Sequence, residues 1–355
     1  MSDVNRPLEG CNVAVTGGTG SLGQRLVRRL LSGEMGKPAK VVVFSRDEAK
    51  QHAMRLEYKH RPLATDEVIY HTAKEVLDFR IGDVRDMSAL CAGLREADVI
   101  FNAAALKQVP SCEYFPYEAV LTNIGGPQHI VQAVMEKRIP ARLVVGISTD
   151  KACKPVNVMG MTKAIQERIL LTGNLLASHC TFVCVRYGNV LASRGSVIPL
   201  FLDQIHAGGP VTVTMPEMTR FLLSLDDAVE LIFAAVRNGS AGETYVPVVP
   251  SARVVDVATV LIDDRPIDIQ FTGIRPGEKI HEVLVSEEEG WRTERRDGQY
   301  VIKSILPELN AASDNRTTLK REYSSATSPL EVEPLRSLLR SSGFLTPRAA
   351  VAGKN

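Results

Sequence analysis

Residues 12–31 read N-V-A-V-T-G-G-T-G-S-L-G-Q-R-L-V-R-R-L-L. An apolar run, 12–16, enters a glycine-rich turn, and Q-R-L-V-R-R-L-L continues as a helix. Strand, glycine turn and helix in that order suit a phosphate. Glycines let the backbone turn sharply and approach an anion, and the helix start aims free N–H groups at negative charge. Gly17, Gly20 and Gly23 follow a G-x-x-G-x-x-G spacing rather than the commoner G-x-G-x-x-G, and do the same work. With Thr19, Ser21 and Leu22 they form the first set of candidate cofactor contacts.

Outward from this stretch the pattern repeats. K-V-V-V-F at 40–44 predicts a second strand, followed by Ser45, Arg46, Asp47 and Glu48. An acid at this point takes ribose hydroxyls, whereas an arginine takes a 2′-phosphate. Arg46 with Ser45 therefore favours NADP over NAD, and Asp47 has the alternative role of capping the next helix. Residues 77–81 predict a third strand, with Asp83 and Val84 placed to meet an adenine edge. Asp86 is a helix cap in the same turn. Residues 98–102 predict a fourth strand, and Ala103, Ala104 and Ala105 after it leave room for a flat group. Lys107 is a candidate for substrate or phosphate, and Asn123 opens a long helix expected to support the strand before Ser148 from behind. The alternation continues through apolar runs at 143–147 and 181–186. It predicts an α/β chain built on a Rossmann-type doubly wound parallel sheet.

After the fifth strand comes S-T-D-K-A-C-K-P-V-N-V-M-G-M-T-K, residues 148–163. Pro155 bars a helix through its own position, and the pattern predicts a helix from Thr162 onward. Ser148, Asp150 and Lys151 then lie at the carboxyl end of a strand, where open α/β sheets bind ligands, with Lys163 reaching back from the helix. A hydroxyl, a carboxylate and two amines would converge on one crevice. The alternative is a solvated polar loop.

Composition narrows the classes. Lys and Arg number 42 against 41 Asp and Glu, without long basic blocks, so neither nucleic acid nor an anionic membrane is an expected partner. No apolar stretch is long enough to span a bilayer, and the N-terminal residues show no signal-like apolar segment. Six scattered cysteines form no C-x-x-C pair, and a reducing cytoplasm is the expected compartment. The histidines show neither H-x-H nor H-E-x-x-H spacing, so no metal site is expected.

Together T-G-G-T-G-S-L-G, F-S-R-D-E, G-D-V-R-D, A-A-A-L-K-Q-V-P, S-T-D-K-A-x-K-P-V-N, R-Y-G-N-V-L-A-S-R-G-S-V and M-T-R-F closely resemble the extended short-chain dehydrogenase/reductases. Within them the chain is similar to the UDP-N-acetylglucosamine 4,6-dehydratases of surface-polysaccharide pathways. The resemblance implies a nicotinamide cofactor, a UDP-sugar substrate and a homo-oligomer, dimer or hexamer. It implies C4 oxidation, C5 deprotonation, loss of the C6 hydroxyl as water and return of hydride to C6. The family's elimination pair matches Asp150 as acid and Lys151 as base, with the reverse assignment open. The family's usual Y-x-x-x-K would place tyrosine at 159, but this chain has Met159, which moves no proton. Lys163 keeps the role of holding the nicotinamide ribose. A UDP-hexose 4-epimerase and a non-catalytic dinucleotide-binding regulator are the alternatives.

The division expected is 1–192 for the dinucleotide, 193–345 mainly for the nucleotide sugar, with strands able to return to the first domain, and 346–355 as a frayed tail. Asn189 continues from the sixth strand toward the substrate, Arg194 and Ser196 begin the second part, and the resemblance makes these three candidate substrate contacts, Asn189 and Arg194 for phosphate or the sugar amide. Arg275 and Glu278, in R-P-G-E-K, are candidates for the diphosphate and ribose, before a helix expected at I-H-E-V-L-V. Phe221 is expected in the core, Trp291 is read as a packing residue, and the chain from 287 as irregular.

Overall fold

The computed structural model describes residues 6–59, 76–191, 197–310 and 319–345. Six strands match the apolar runs: β1 (Asn12–Thr16), β2 (Lys40–Ser45), β3 (Leu77–Ile81), β4 (Val99–Asn102), β5 (Leu143–Ile147) and β6 (Thr181–Val185). They pair in parallel in the order β6-β5-β4-β1-β2-β3. Strand order reverses beside β1, the switch point where doubly wound sheets open a crevice. Register sets Thr16 beside Phe44 and Asn102, Asn102 beside Gly146, and Gly146 beside Cys184. The turns after these five strands therefore emerge along one end of the sheet.

Every residue of β4 and β5 is buried, as continuous apolar runs in a doubly covered parallel sheet require. Ala14, Val42, Ile100, Val144 and Phe182 share one core with Leu90, Ile130 and Leu170 from the helices on that side. Helix α1 (Ser21–Leu31) and the helix Leu225–Asn238 pack together and against the sheet. The fold is the α/β, parallel-dominated arrangement expected from the sequence.

The chain divides into two compact units. The first comprises Met1–Tyr187, Leu225–Val248 and Val283–Tyr323, and the second Gly188–Ser224, Val249–Glu282 and Ser324–Asn355. Two segments beyond residue 192 thus return to the sheet-bearing unit. Thr244–Val246 pairs in parallel with β6, and Gln299–Ile302 and Thr293–Arg296 extend the edge as an antiparallel hairpin. The second unit packs Ile198, Phe201, Val257, Leu261 and Leu335 into its own core.

Several expectations need correction. The helix expected from Thr162 begins at Val158, because the Asn157 side chain caps it by accepting from the Gly160 N–H at 2.8 Å. I-H-E-V-L-V contains a strand, Val283–Val285, instead of a helix, in keeping with its β-branched residues. The region after 287 is ordered into the hairpin, whose two-residue turn Asp297–Gly298 has φ of 48° and 80°. Trp291 is 78% exposed and so is not a packing residue. Phe221 is buried as expected. The polar excursion at 60–75, Arg194, Ser196 and the tail 346–355 lie outside the described residues. All six cysteines are free and buried. Among the described residues no helix is long and apolar enough to cross a membrane, and no cluster suits a metal.

Candidate active site

The glycine turn is shaped by backbone contact. Gly17 has φ of 66°, and a Cβ there would lie 2.8 Å from the Ala104 Cα. A Cβ on Gly23 would lie 2.5 Å from the Gly18 Cα. Both positions exclude a side chain, and the first brings the turn against Ala103 and Ala104. Thr16 locks this approach: its hydroxyl donates to Asn102 Oδ1 at 2.9 Å and accepts from the Ala104 N–H at 3.2 Å. Gly20 is the N-cap of α1 and supplies no capping side chain, and the first turn, which includes Ser21 and Leu22, carries no acid. The leading N–H groups thus favour an anion. These features fit a dinucleotide's pyrophosphate.

The neighbouring strand ends supply side chains. Thr19 donates to the Ser45 hydroxyl at 3.3 Å, and Arg46 lies 3.6 Å from Asp83. Asp47 accepts from the Lys50 N–H at 2.9 Å and so is engaged in capping. Burial pushes the Asp83 carboxyl up, but Arg85's hydrogen bonds and the charges of Arg85 and Arg46 outweigh it and hold the carboxyl below its usual range. Val84 is buried beneath Gly126, whose absent Cβ would lie 2.9 Å from the Val84 Cγ2. The structure thus brings Thr19, Ser45, Arg46 and Asp83 together. Sequence reasoning missed Gln51, which is buried and donates to the carbonyls of Ser45 and Arg80, both at 2.9 Å. Its polar character in a helix read as exposed gave no signal.

The second cluster is built on β5. The Ser148 N–H donates to the Val185 carbonyl at 2.7 Å and the Asp150 N–H to the Tyr187 carbonyl at 3.0 Å, continuing the ladder beyond the strands. Asp150–Ala152 forms one 3-10 turn capped by Thr149. Asp150 is fully buried; its Oδ1 accepts from Thr149 at 2.8 Å and from Lys151 Nζ at 3.1 Å. Its Oδ2 is buried and has no hydrogen-bond partner among the described residues. The long helix Val158–Leu176 starts hard against this turn, since a Cβ on Gly160 would lie 2.2 Å from the Lys151 carbonyl oxygen.

Three expected residues face inward. Ser148 donates to Glu167 Oε1 at 2.5 Å. Met159 is 4% exposed and packs with Cys112 and Ala119. The Lys163 ammonium donates to the Ile147 carbonyl at 2.6 Å and to Gln166 Oε1 at 2.5 Å. Burial lowers this amine to about 8, against the opposing influence of Cys184 and Glu167. The helix Gly126–Met135 backs the fifth strand as expected, its Ile130 and Val134 sharing a core with Val144, and just before it comes Asn123. It sits in a π-helical turn, accepts from the Leu106 N–H at 2.8 Å and donates to Thr162 at 3.0 Å, tying the loop after β4 to the long helix. Lys107 is exposed.

In the second unit Asn189 is half-buried and Arg275 exposed. The Glu278 N–H donates to the Arg275 carbonyl at 3.1 Å, and Glu278 Oε2 is buried without a hydrogen-bond partner among the described residues.

A profile described as polysaccharide biosynthesis protein matches residues 13–304. The chain belongs to that family. It is 39% identical over 313 residues to an uncharacterized membrane protein of Methanocaldococcus jannaschii, covering 85% of this chain and 88% of that one. It is 38% identical over 336 residues to a UDP-glucose 4-epimerase of Rickettsia akari, covering 92% and 94%. Among solved structures it is similar to Pen from Bacillus thuringiensis, with a TM-score of 0.83 and 31% identity over 95% of this chain and 99% of that one. In this polysaccharide biosynthesis protein the candidate residues fall into two clusters, a backbone cradle after β1 and the Asp150–Lys151 pair after β5.

Proposed function

We propose that the chain is a UDP-sugar 4,6-dehydratase acting on UDP-N-acetylglucosamine with a tightly held nicotinamide dinucleotide. The observation that carries this reading is the Asp150–Lys151 pair, in contact at 3.1 Å, with a second Asp150 oxygen left unpartnered. When bound, the dinucleotide accepts hydride from C4 and returns it to C6, so there is no net redox change. The chain's own residues handle the protons. Beginning from carboxylate and amine, Asp150 takes the proton of the C4 hydroxyl. The C4 ketone acidifies C5–H, and Lys151 removes that proton. Asp150 gives its proton to the C6 oxygen, which leaves as water. Lys151 returns its proton to C5 as C6 is reduced, restoring both groups. Met159 takes no part in this cycle, since a thioether neither accepts nor returns a proton.

Gly17, Gly20, Gly23, Ser21 and Leu22 would hold the pyrophosphate. Thr19, Ser45, Arg46, Asp83 and Val84 would hold the adenosine end, with Arg46 favouring NADP. Ala103, Ala104 and Lys163 would border the nicotinamide ribose. Lys107, Asn189, Arg194, Ser196, Arg275 and Glu278 are the proposed substrate contacts. A second reading, UDP-hexose 4-epimerase, is favoured by the name of the Rickettsia relatives. Incubation with UDP-N-acetylglucosamine, followed by chromatographic separation of the sugar nucleotides and mass spectrometry, separates them. Loss of one water is expected; isomerisation without mass change would establish the epimerase, and no reaction would overturn both.

Self-association belongs to the same reading. Tyr114, Phe115 and Tyr117 are 82%, 64% and 69% exposed, and Met161 and Ile165 add apolar surface on the long helix. Light scattering is expected to show at least a dimer; monomer alone at micromolar concentration would refute it.

A further inference from the structure

The turn carrying Asp150 and Lys151 is flanked by Ser148 and Cys153, and both flanks lead into the same buried ion cluster. Ser148 donates to Glu167, which accepts from Arg186 Nε at 3.0 Å and from its NH2 at 2.6 Å. Arg186 turns its other edge to Glu289, donating to Oε2 at 2.7 Å and to Oε1 at 2.9 Å. The Cys153 Sγ lies 3.7 Å from the same Glu289 Oε2. The guanidinium is thus gripped by two carboxylates, one on the long helix and one on the four-residue helix Glu287–Gly290. That short helix is pinned by a reciprocal cap between Ser286 and Glu289.

We propose that Glu289 is a positioning residue that closes a buried ring, Ser148–Glu167–Arg186–Glu289–Cys153, around both ends of the turn bearing Asp150 and Lys151. Burial alone would raise the Glu289 carboxyl, but the Arg186 charge and hydrogen bonds bring it down to about 2, so it is ionised across the working pH range. Side-chain exposure is 4% for Arg186, 7% for Glu167 and 12% for Glu289. Arg292 also lies 3.6 Å from Glu289, so removing the Glu289 charge leaves the single carboxylate of Glu167 against two guanidinium groups, and the cluster must rearrange. Two of its contacts end on the turn's flanks. Rearrangement therefore displaces Asp150 and Lys151, although Glu289 lies more than a hundred residues away in sequence.

The activity readout rests on the dehydratase reading; a second readout does not. In the full-length protein, Glu289→Gln keeps the side chain's size and removes its charge. It is expected to lower kcat for water loss by about tenfold to a hundredfold, with KM and bound cofactor nearly unchanged. Hydrogen exchange in the peptide spanning 148–153 is expected to quicken by about tenfold. Those amides include Asp150, Ala152 and Cys153, all hydrogen-bonded within this region. Glu289→Asp, which restores the charge, is expected to recover part of both effects. Leu94→Ala, a core change outside the ring, is the control for lost stability. Unchanged exchange and kcat in Glu289→Gln would overturn the proposal. So would a Leu94→Ala variant of equal melting loss that reproduces both effects. If Glu289→Gln fails to fold, Cys153→Ala leaves the ion pairs intact and is expected to quicken exchange of the same peptide roughly twofold; no change there would overturn the ring. If the wild type removes no water, the function fails while exchange still decides the ring. If the wild type dehydrates and Glu289→Gln matches it in both readouts, only the ring fails.

Discussion

The turn after β1 and the turn after β5 occupy equivalent places in the sheet and are made in opposite ways. The first is backbone. Gly17 and Gly23 are positions where any side chain would collide, and the anion-seeking groups are main-chain N–H groups. The second is side chain. A fully buried Asp150 is held by Thr149 and Lys151, above an ion cluster formed by Glu167, Arg186 and Glu289. A pyrophosphate is recognised by many weak, fixed dipoles, so shape suffices. Moving a proton requires a titratable atom at one place, so buried side chains are needed.

The sharpest way to break this contrast is at Lys151. Lys151→Ala is expected to slow dehydration by about 10²–10⁴-fold while cofactor stays bound. Asp150→Asn should fail comparably. Solvent deuterium should enter C5 in the wild type, and wild-type exchange in Lys151→Ala would eliminate it as the base. Gly17→Ala attacks the other turn. Its positive φ and the close Ala104 backbone predict a loss of about 1–3 kcal/mol in thermal or denaturant stability, together with loss of cofactor. Activity recovered by added cofactor at wild-type affinity would contradict the cradle.

Lys163, held at the end of β5 by the Ile147 carbonyl, gives a pH test. Its folded value of about 8 lies below the ordinary 10.5, so the unfolded chain binds more protons between those values. Its burial is therefore most costly below about pH 8, and its share of stability rises as pH increases from there toward 10.5. That share is no more than about 3 kcal/mol. Lys163→Met should flatten the rise in melting temperature over this window, and an unchanged slope would refute the assignment. Arg46→Ala is expected to weaken NADP relative to NAD by about tenfold, as lost phosphate contacts would. Equal effects on both cofactors, measured by titration, would remove the 2′-phosphate from the reading. Met159→Leu is the smallest change. Buried against Cys112 and Ala119, it should cost less than about 1.5 kcal/mol and leave turnover nearly intact. A loss as large as at Lys151 would mean that the methionine does more than pack.

Legibility followed range. The first six strands were readable because each is a short apolar run bounded by turn residues, and their hydrophobic pattern is local. The sequence pattern places the start of the long helix at Thr162, beyond Pro155 and Gly160. The structure uses that glycine to seat the helix start against Lys151, with Asn157 as its cap. The hairpin 293–302 looked irregular because Glu294, Arg295 and Arg296 are charged edge-strand residues, although Asp297–Gly298 is a strong signal for a two-residue turn.

By itself the sequence determined the parallel sheet, the glycine cradle and the residue types gathered after β5. These depend on spacing along the chain, which fixes period, turn and polarity. Only the tertiary structure decided which way those side chains face. It turned Ser148 toward Glu167 and the Lys163 ammonium toward Ile147 and Gln166, left an Asp150 oxygen unpartnered, and brought Glu289 to Arg186. Such choices depend on which distant charges share one buried volume, where an unpaired ion is costly and each partner constrains the next. No local pattern in the chain carries that information.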